Sequence, residues 1–250
     1  MLGKTGFKYG DDHLLLKWLQ EKDNRAISHG FCMRAALRAI PALAVVPEYD
    51  SEIGRKTFIP VFRNLNISLV SAMTGFDLQR ELNPFALPAL KATINYYGDP
   101  KLNHTAFGSA FGASVAAIKI TILNTIGSEL ASSAISNAAV ANRRITKDYD
   151  KIFPEVLKEI KLIEAGTDPI ALLTYPLWPD GIPQWANENW QKLKFGLLAL
   201  DPNWSVWTTW YEERLVGITP NLSTEKSRAT IPIDIWQKLP TEVNDYIRNL

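Results

Sequence analysis

"PNWSVWTTWYEERLVG", residues 202–217, puts three tryptophans and a tyrosine within eight positions, and its reading decides the fold. At about 100° per residue, Trp204, Trp207, Tyr211 and Leu215 fall on one stripe of a helix, with Trp210 and Arg214 along its edge. Asp201 is placed to cap that helix, Pro202 suits its first turn, and Gly217 lies just past its end. The preceding "PQWANENWQKLKFGLLAL" (183–200) offers Trp185, Trp190, Leu193 and Leu197 as partners in a helical hairpin. A stripe at helical spacing faces a core more often than a ligand, so the tryptophans are expected to pack.

Working outward, apolar residues recur at three and four positions and alternating β-branched runs are scarce, so helices should dominate. Asp11 or Asp12 caps a first helix through about Lys22, and a second begins near Asn24 and meets a kink or end at Pro41. "PEYDSEIGRK" (47–56) reads as a loop. "TFIPVFRNLNISLVSAMTG" (57–75) gives a third helix with Pro60 in its first turn and Gly75 as its stop, and "NPFALPALKATINYYGDP" (83–100) a fourth. The Ala-rich stretch 106–141 supplies one or two more, and "KDYDKIFPEVLKEIKLIEAG" (147–166) another, ended by Gly166. "TDPIALLTYPLWPDGIP" (167–183), with four prolines, reads as an ordered loop. The expected fold is an all-α multi-helix bundle. An Ala-rich part (1–166) is followed by a Trp-rich helical subdomain (167–250) packed on it, the two forming either separate units or one domain.

Composition narrows the function classes. The chain has 250 residues, ordinary globular hydrophobicity, and 27 basic against 26 acidic side chains, so the net charge of +1 gives no general electrostatic argument for nucleic acid. A single cysteine, Cys32, allows no internal disulfide and fits a reducing, cytoplasmic setting, and "MLGKTGFKYGDDHLLLKW" lacks the pattern of a secretory signal. Between Ala106 and Ala141 only Lys119 and Glu129 are charged, and Gly108 and Gly112 have GxxxG spacing. Polar interruptions such as Ser109, Ser114 and Thr121 favour a buried helix over a membrane span.

Four residues are candidate binding groups. Arg34 and Arg38 lie four apart on the second helix, where their repulsion calls for a bridging carboxylate or anionic ligand, the carboxylate being the commoner solution. Trp210 and Arg214 have the spacing of a cation–π pair, and Trp210 is the first choice for a stacking platform if its ring is exposed. Glu212 and Glu213 diverge by about 100° and do not form a catalytic pair. His13, His29 and His104 lack metal-ligand spacing, Cys32 reads as a buried thiol, and no phosphate loop, dinucleotide fingerprint or hydrolase elbow occurs. No metal or cofactor is implied.

The motifs "MRAALRAIPAL" (33–43), "YPLWPDGIPQW" (175–185) and "NWSVWTTWYEERLVG" (203–217), in that order, resemble a family of bacterial helical proteins, notably alphaproteobacterial, that ends in a Trp-rich "WYExRLxG" motif. The resemblance covers about Arg25 to Leu250, with a middle less rich in alanine, and implies a bacterial intracellular module with no activity attached. The leading expectation is a non-enzymatic interaction module, an adaptor or sensor whose partner is another protein or a second copy of itself. An enzyme acting on an anionic substrate with dispersed residues and a membrane-active helical protein are the alternatives.

Overall fold

The computed structural model describes residues 12–46, 50, 52, 54–75, 77–97, 105–123, 126–147 and 151–250. Among them are twelve α-helices and no strand, an all-α bundle with a buried tryptophan cluster. The helices are α1 (Asp12–Lys22), α2 (Arg25–Ala39), α3 (Ile59–Met73), α4 (Gln79–Tyr97), α5 (Ala106–Ile122), α6 (Ser128–Thr146) and α7 (Phe153–Glu164). After the proline-rich loop come α8 (Gln184–Leu200), α9 (Ser205–Val216), α10 (Leu222–Ala229), α11 (Ile233–Trp236) and α12 (Pro240–Arg248).

The Ala-rich stretch forms α5 and α6, and α5 is the centre of the bundle, packed against α2, α3, α4 and α6. Small side chains permit this: a Cβ at Gly112 would sit 3.2 Å from the Asn137 side chain of α6. Among the described residues, no helix is long and apolar enough to cross a membrane. Local signals set most helix ends. Asn24 Oδ1 accepts from the Ala26 and Ile27 amides, and Thr105 Oγ1 accepts from Gly108. At Pro41 the α-helix gives way to a 3-10 segment, Ile40–Val45, because proline lacks the donor that would continue it.

Three boundaries differ from the sequence reading. Helix α4 starts four residues earlier than residue 83 and carries Pro84 and Pro88 inside it, the packing against α3 and α5 outweighing the lost backbone bonds. The opening stretch is not one uniform helix: Asp201 caps a 3-10 turn, Pro202–Trp204, and α9 proper begins at Ser205. Its stripe is buried as expected, Trp204, Trp207, Tyr211 and Leu215 all facing inward. The hairpin with α8 forms through Trp190 and Tyr211, whose rings lie 4.3 Å apart, and through Trp190 Nε1 donating to Glu212. The expected loop at 47–56 lies partly outside the described residues, as do Asp11 and His104, and its end is not loop: a π-helical turn, Gly54–Phe58, leads straight into α3.

The main core runs without interruption from Leu15 to Ile247, taking residues from both sides of Gly166. The loop between them forms a short 3-10 turn, Ile170–Thr174, and is pinned at the end of α9, where the Leu177 amide donates to the Leu215 carbonyl at 3.1 Å. Gly217 ends α9 at φ +79°, so close to this loop that a Cβ would lie 2.6 Å from the Thr174 carbonyl and 2.7 Å from the Pro176 nitrogen. Gly217→Ala should therefore destabilise the protein by about 3 kcal/mol, combining left-handed strain with backbone overlap. Gly166→Ala, at φ +92° with nothing within 4 Å, should cost only about 1 kcal/mol. Urea unfolding of the two variants separates the contributions, and equal losses would show that the loop yields.

Candidate functional site

Two buried carboxylates organise the four candidate residues, and they hold them in two clusters rather than one cleft. Glu159 on α7 meets both arginines of α2: Arg34 Nε donates to its Oε1 at 2.5 Å, and Arg38 Nη2 donates to the same oxygen. Other guanidinium donors turn to the proline-rich loop, while Arg38 Nη1 stays buried without a hydrogen bond. Arg34 reaches the carbonyls of Leu172 (2.5 Å), Tyr175 (2.8 Å) and Pro176 (2.7 Å), and Arg38 reaches that of Leu177 twice, at 2.7 and 3.0 Å. Arg38 also lies 5.5 Å from the ring centroid of Trp178. All three charged residues are buried. Burial alone would raise the Glu159 carboxyl, but Arg34 and then Arg38 hold it below the ordinary carboxylate range. The anion that the arginine spacing calls for thus comes from within the chain.

The second carboxylate is Glu225 on α10. Its Oε2 accepts from Trp210 Nε1 (3.0 Å), Asn66 Nδ2 (2.5 Å) and Arg228 Nη1 (2.8 Å), and its Oε1 from Arg214 Nη1 (3.3 Å). The cation–π pair forms, with Arg214 Cζ 5.7 Å from the Trp210 ring centroid. Trp210 is buried, however, and does not offer a face to solvent as a stacking platform would. Its position on the stripe's edge is covered because α10 and α3 close over it: Phe62 of α3 stacks on Trp207 at 5.2 Å and meets Trp210 edge-on. Glu212 and Glu213 have separate partners, Lys194 and Trp190 for the first and Arg214 for the second. An open cleft of about 380 Å³ adjoins this cluster, lined by Ser205, Thr209, Trp210, Thr224, Arg228 and Arg248 among others.

Three residues that bear on the site went unremarked in the sequence. Glu159 and Glu225 lie more than a hundred positions from Arg34 and from Asn66, respectively, so local spacing gave no sign of either pairing. The third is Arg63, on α3. A signal for it existed: "RNLNIS" spreads polar residues over more than half the circumference of a helix that is otherwise apolar, and α3 is buried on nearly all sides. Arg63 Nη2 donates to the Phe85 carbonyl at 3.1 Å and its guanidinium lies 4.7 Å from the Trp236 ring centroid. Removing such an ion from water costs several kcal/mol, of which a carbonyl bond and an indole face return about 2 kcal/mol each.

His29 and Cys32 sit in the interior. His29 Nε2 is 2.8 Å from Ser68 Oγ, and burial holds its pKa down at about 3, with Arg25 adding to the effect. Cys32 Sγ faces the Leu130 carbonyl at 3.7 Å, and burial pushes the thiol up. His13 is exposed. Among the described residues no group of three or more His, Cys, Asp or Glu could hold a metal. Compared with protein-family models, with curated proteins and with solved structures, the chain found no match.

Two measurements test this electrostatic arrangement. Glu159→Gln takes the shared carboxylate from two buried guanidinium groups, leaving only the weaker influence of Glu155 on Arg34, and should destabilise by about 3 kcal/mol or more. Adding Arg38→Met to that variant should recover part of the loss, and no recovery would place the cost elsewhere. The second is a pH profile of stability. As pH falls, unfolded His29 takes up its proton near 6.5 while the folded residue waits until about 3, so stability should decline at roughly 1.4 kcal/mol per pH unit below 6. Glu159, depressed when folded, gives stability that is present above the ordinary carboxylate pKa and is lost as pH falls through its folded value. His29→Asn should flatten the slope between pH 6 and 5 and leave the more acidic limb.

Proposed function

We propose that this chain is a non-enzymatic protein-interaction module, an adaptor or sensor of a bacterial cytoplasmic assembly, and that it docks its partner where the proline-rich loop meets the end of α9. One observation carries the reading. Tyr175, Val216 and Ile218 are 37%, 60% and 51% exposed, although large and apolar. They flank the Gly217 contact, where the two backbones touch, so their attachment points lie close together. Apolar groups gathered in this way mark an interaction surface more often than isolated ones do.

Rigidity supports the same reading. The loop bearing Tyr175 has its carbonyls tied by Arg34 and Arg38, so little ordering entropy remains to be lost on binding. The arginines that first suggested an anionic ligand are read as the support beneath this surface. The partner is a protein with a complementary apolar face, another chain or a second copy of this one. The family resemblance of the three motifs favours the bacterial setting.

Val216→Asp with Ile218→Asp should leave stability within about 0.5 kcal/mol, as exposed substitutions do, while abolishing the contact. A photo-crosslinking residue at position 216 should give a discrete adduct in cells producing the native chain, and the same residue at exposed Lys192 should not. Sedimentation equilibrium distinguishes self-association from a second protein. A monomer that forms no adduct at position 216 would overturn the reading.

A further inference from the structure

Four arginines are buried among the described residues: Arg34, Arg38, Arg63 and Arg214. Three of them meet a carboxylate, Glu159 or Glu225. Arg63 does not, although it is only 4% exposed. Of the five N–H donors that a guanidinium has, the only hydrogen bond among the described residues is the one from Nη2 to Phe85, and Nε is buried without a partner, as is one nitrogen of Arg38 and of Arg214. Burial lowers its pKa to about 9, and no neighbouring charge offsets the effect. An interior charge left in this state is expensive, and a buried donor without a partner in a native structure calls for an explanation, an ion among them.

We propose that Arg63 is the receptor for a small oxyanion, a carboxylate or phosphate group, that enters where Phe85 of α4 and Trp236 of α11 both reach its guanidinium. The planar fork of a guanidinium matches two oxygens of either group. Here the guanidinium is held between two groups, 4.7 Å from the Trp236 ring centroid and donating to the Phe85 carbonyl at 3.1 Å. Trp236 is itself held, its Nε1 donating to the Ile231 carbonyl at 3.1 Å. The surface is near, because Pro84 and Gln237, the chain neighbours of the two contacting residues, are exposed. The neighbouring cations have their own partners, Arg228 with Glu225 and Lys226 with Glu81, so an incoming anion faces Arg63 as the one buried arginine among the described residues with no carboxylate. The site is apart from the surface around Val216 and is tested without any partner protein.

The probes are potassium phosphate and potassium acetate, titrated against potassium chloride at matched ionic strength, with the melting temperature of the full chain as readout. The wild type should gain several degrees with a saturable midpoint in at least one oxyanion arm, and which arm responds identifies the group. Arg63→Met should melt no lower than the wild type in chloride and lose the saturable gain. Phosphate also stabilises proteins by exclusion from their surface, but that effect is unsaturable and common to both chains. No saturable gain in the wild type, or the same gain in Arg63→Met, overturns the proposal. Should Arg63→Met fail to fold, Arg63→Lys decides: it keeps the charge without the fork, and the midpoint should rise at least tenfold, whereas an unchanged midpoint would overturn the assignment.

Discussion

A single oxygen, Oε1 of Glu159, is shared by two guanidinium groups that would otherwise repel each other inside the protein. Much of the tertiary arrangement depends on that sharing. With one nitrogen of each guanidinium on the carboxylate, both nitrogens left on Arg34's fork and two nitrogens of Arg38 are aimed at backbone carbonyls between Leu172 and Leu177. A loop with four prolines is short of backbone donors and cannot bond its carbonyls as a helix does. The arginines satisfy those carbonyls, and the loop in turn seats the end of α9 through Leu177 and Gly217. Charge neutralisation, loop shape and helix docking are therefore one linked event.

Glu225 repeats the principle with different materials. Two arginines, an indole and an amide converge on its two oxygens, joining α3, α9 and α10. Around it the aromatic rings are arranged for contact with cations as well as with each other: Arg214 lies over Trp210, Arg228 over Trp207 and Arg63 over Trp236. The indoles thus serve packing and electrostatics at once, which explains how a core can hold this many arginines. In an aliphatic core the same cations would lose the attraction of the ring faces.

The helical periodicity of the opening stretch was legible because Trp204, Trp207, Tyr211 and Leu215 repeat at the spacing of one face, and Gly217 and Pro41 mark their helix ends by backbone chemistry alone. The start of α4 was not, because Pro84 argues for a helix beginning near it and only tertiary packing supports the extra turn. The demand for an anion at Arg34 and Arg38 could be read from their separation, but its source could not, since Glu159 comes from a helix 121 positions beyond Arg38. Trp210 taught the opposite lesson. Its angular place on the helix was right, yet exposure depends on what covers an edge, and α3 and α10 cover it. Arg63 escaped notice because periodicity treats a charge within a helix as its wet side, whereas α3 is surrounded by protein.

The lone thiol gives the molecule an internal witness. Cys32 lies in the seam between α2 and α6, shielded from solvent and held protonated. Any reagent that modifies sulfur must wait for these two helices to part, so the pace of alkylation records how often the heart of the bundle breathes, without a dye or a foreign residue.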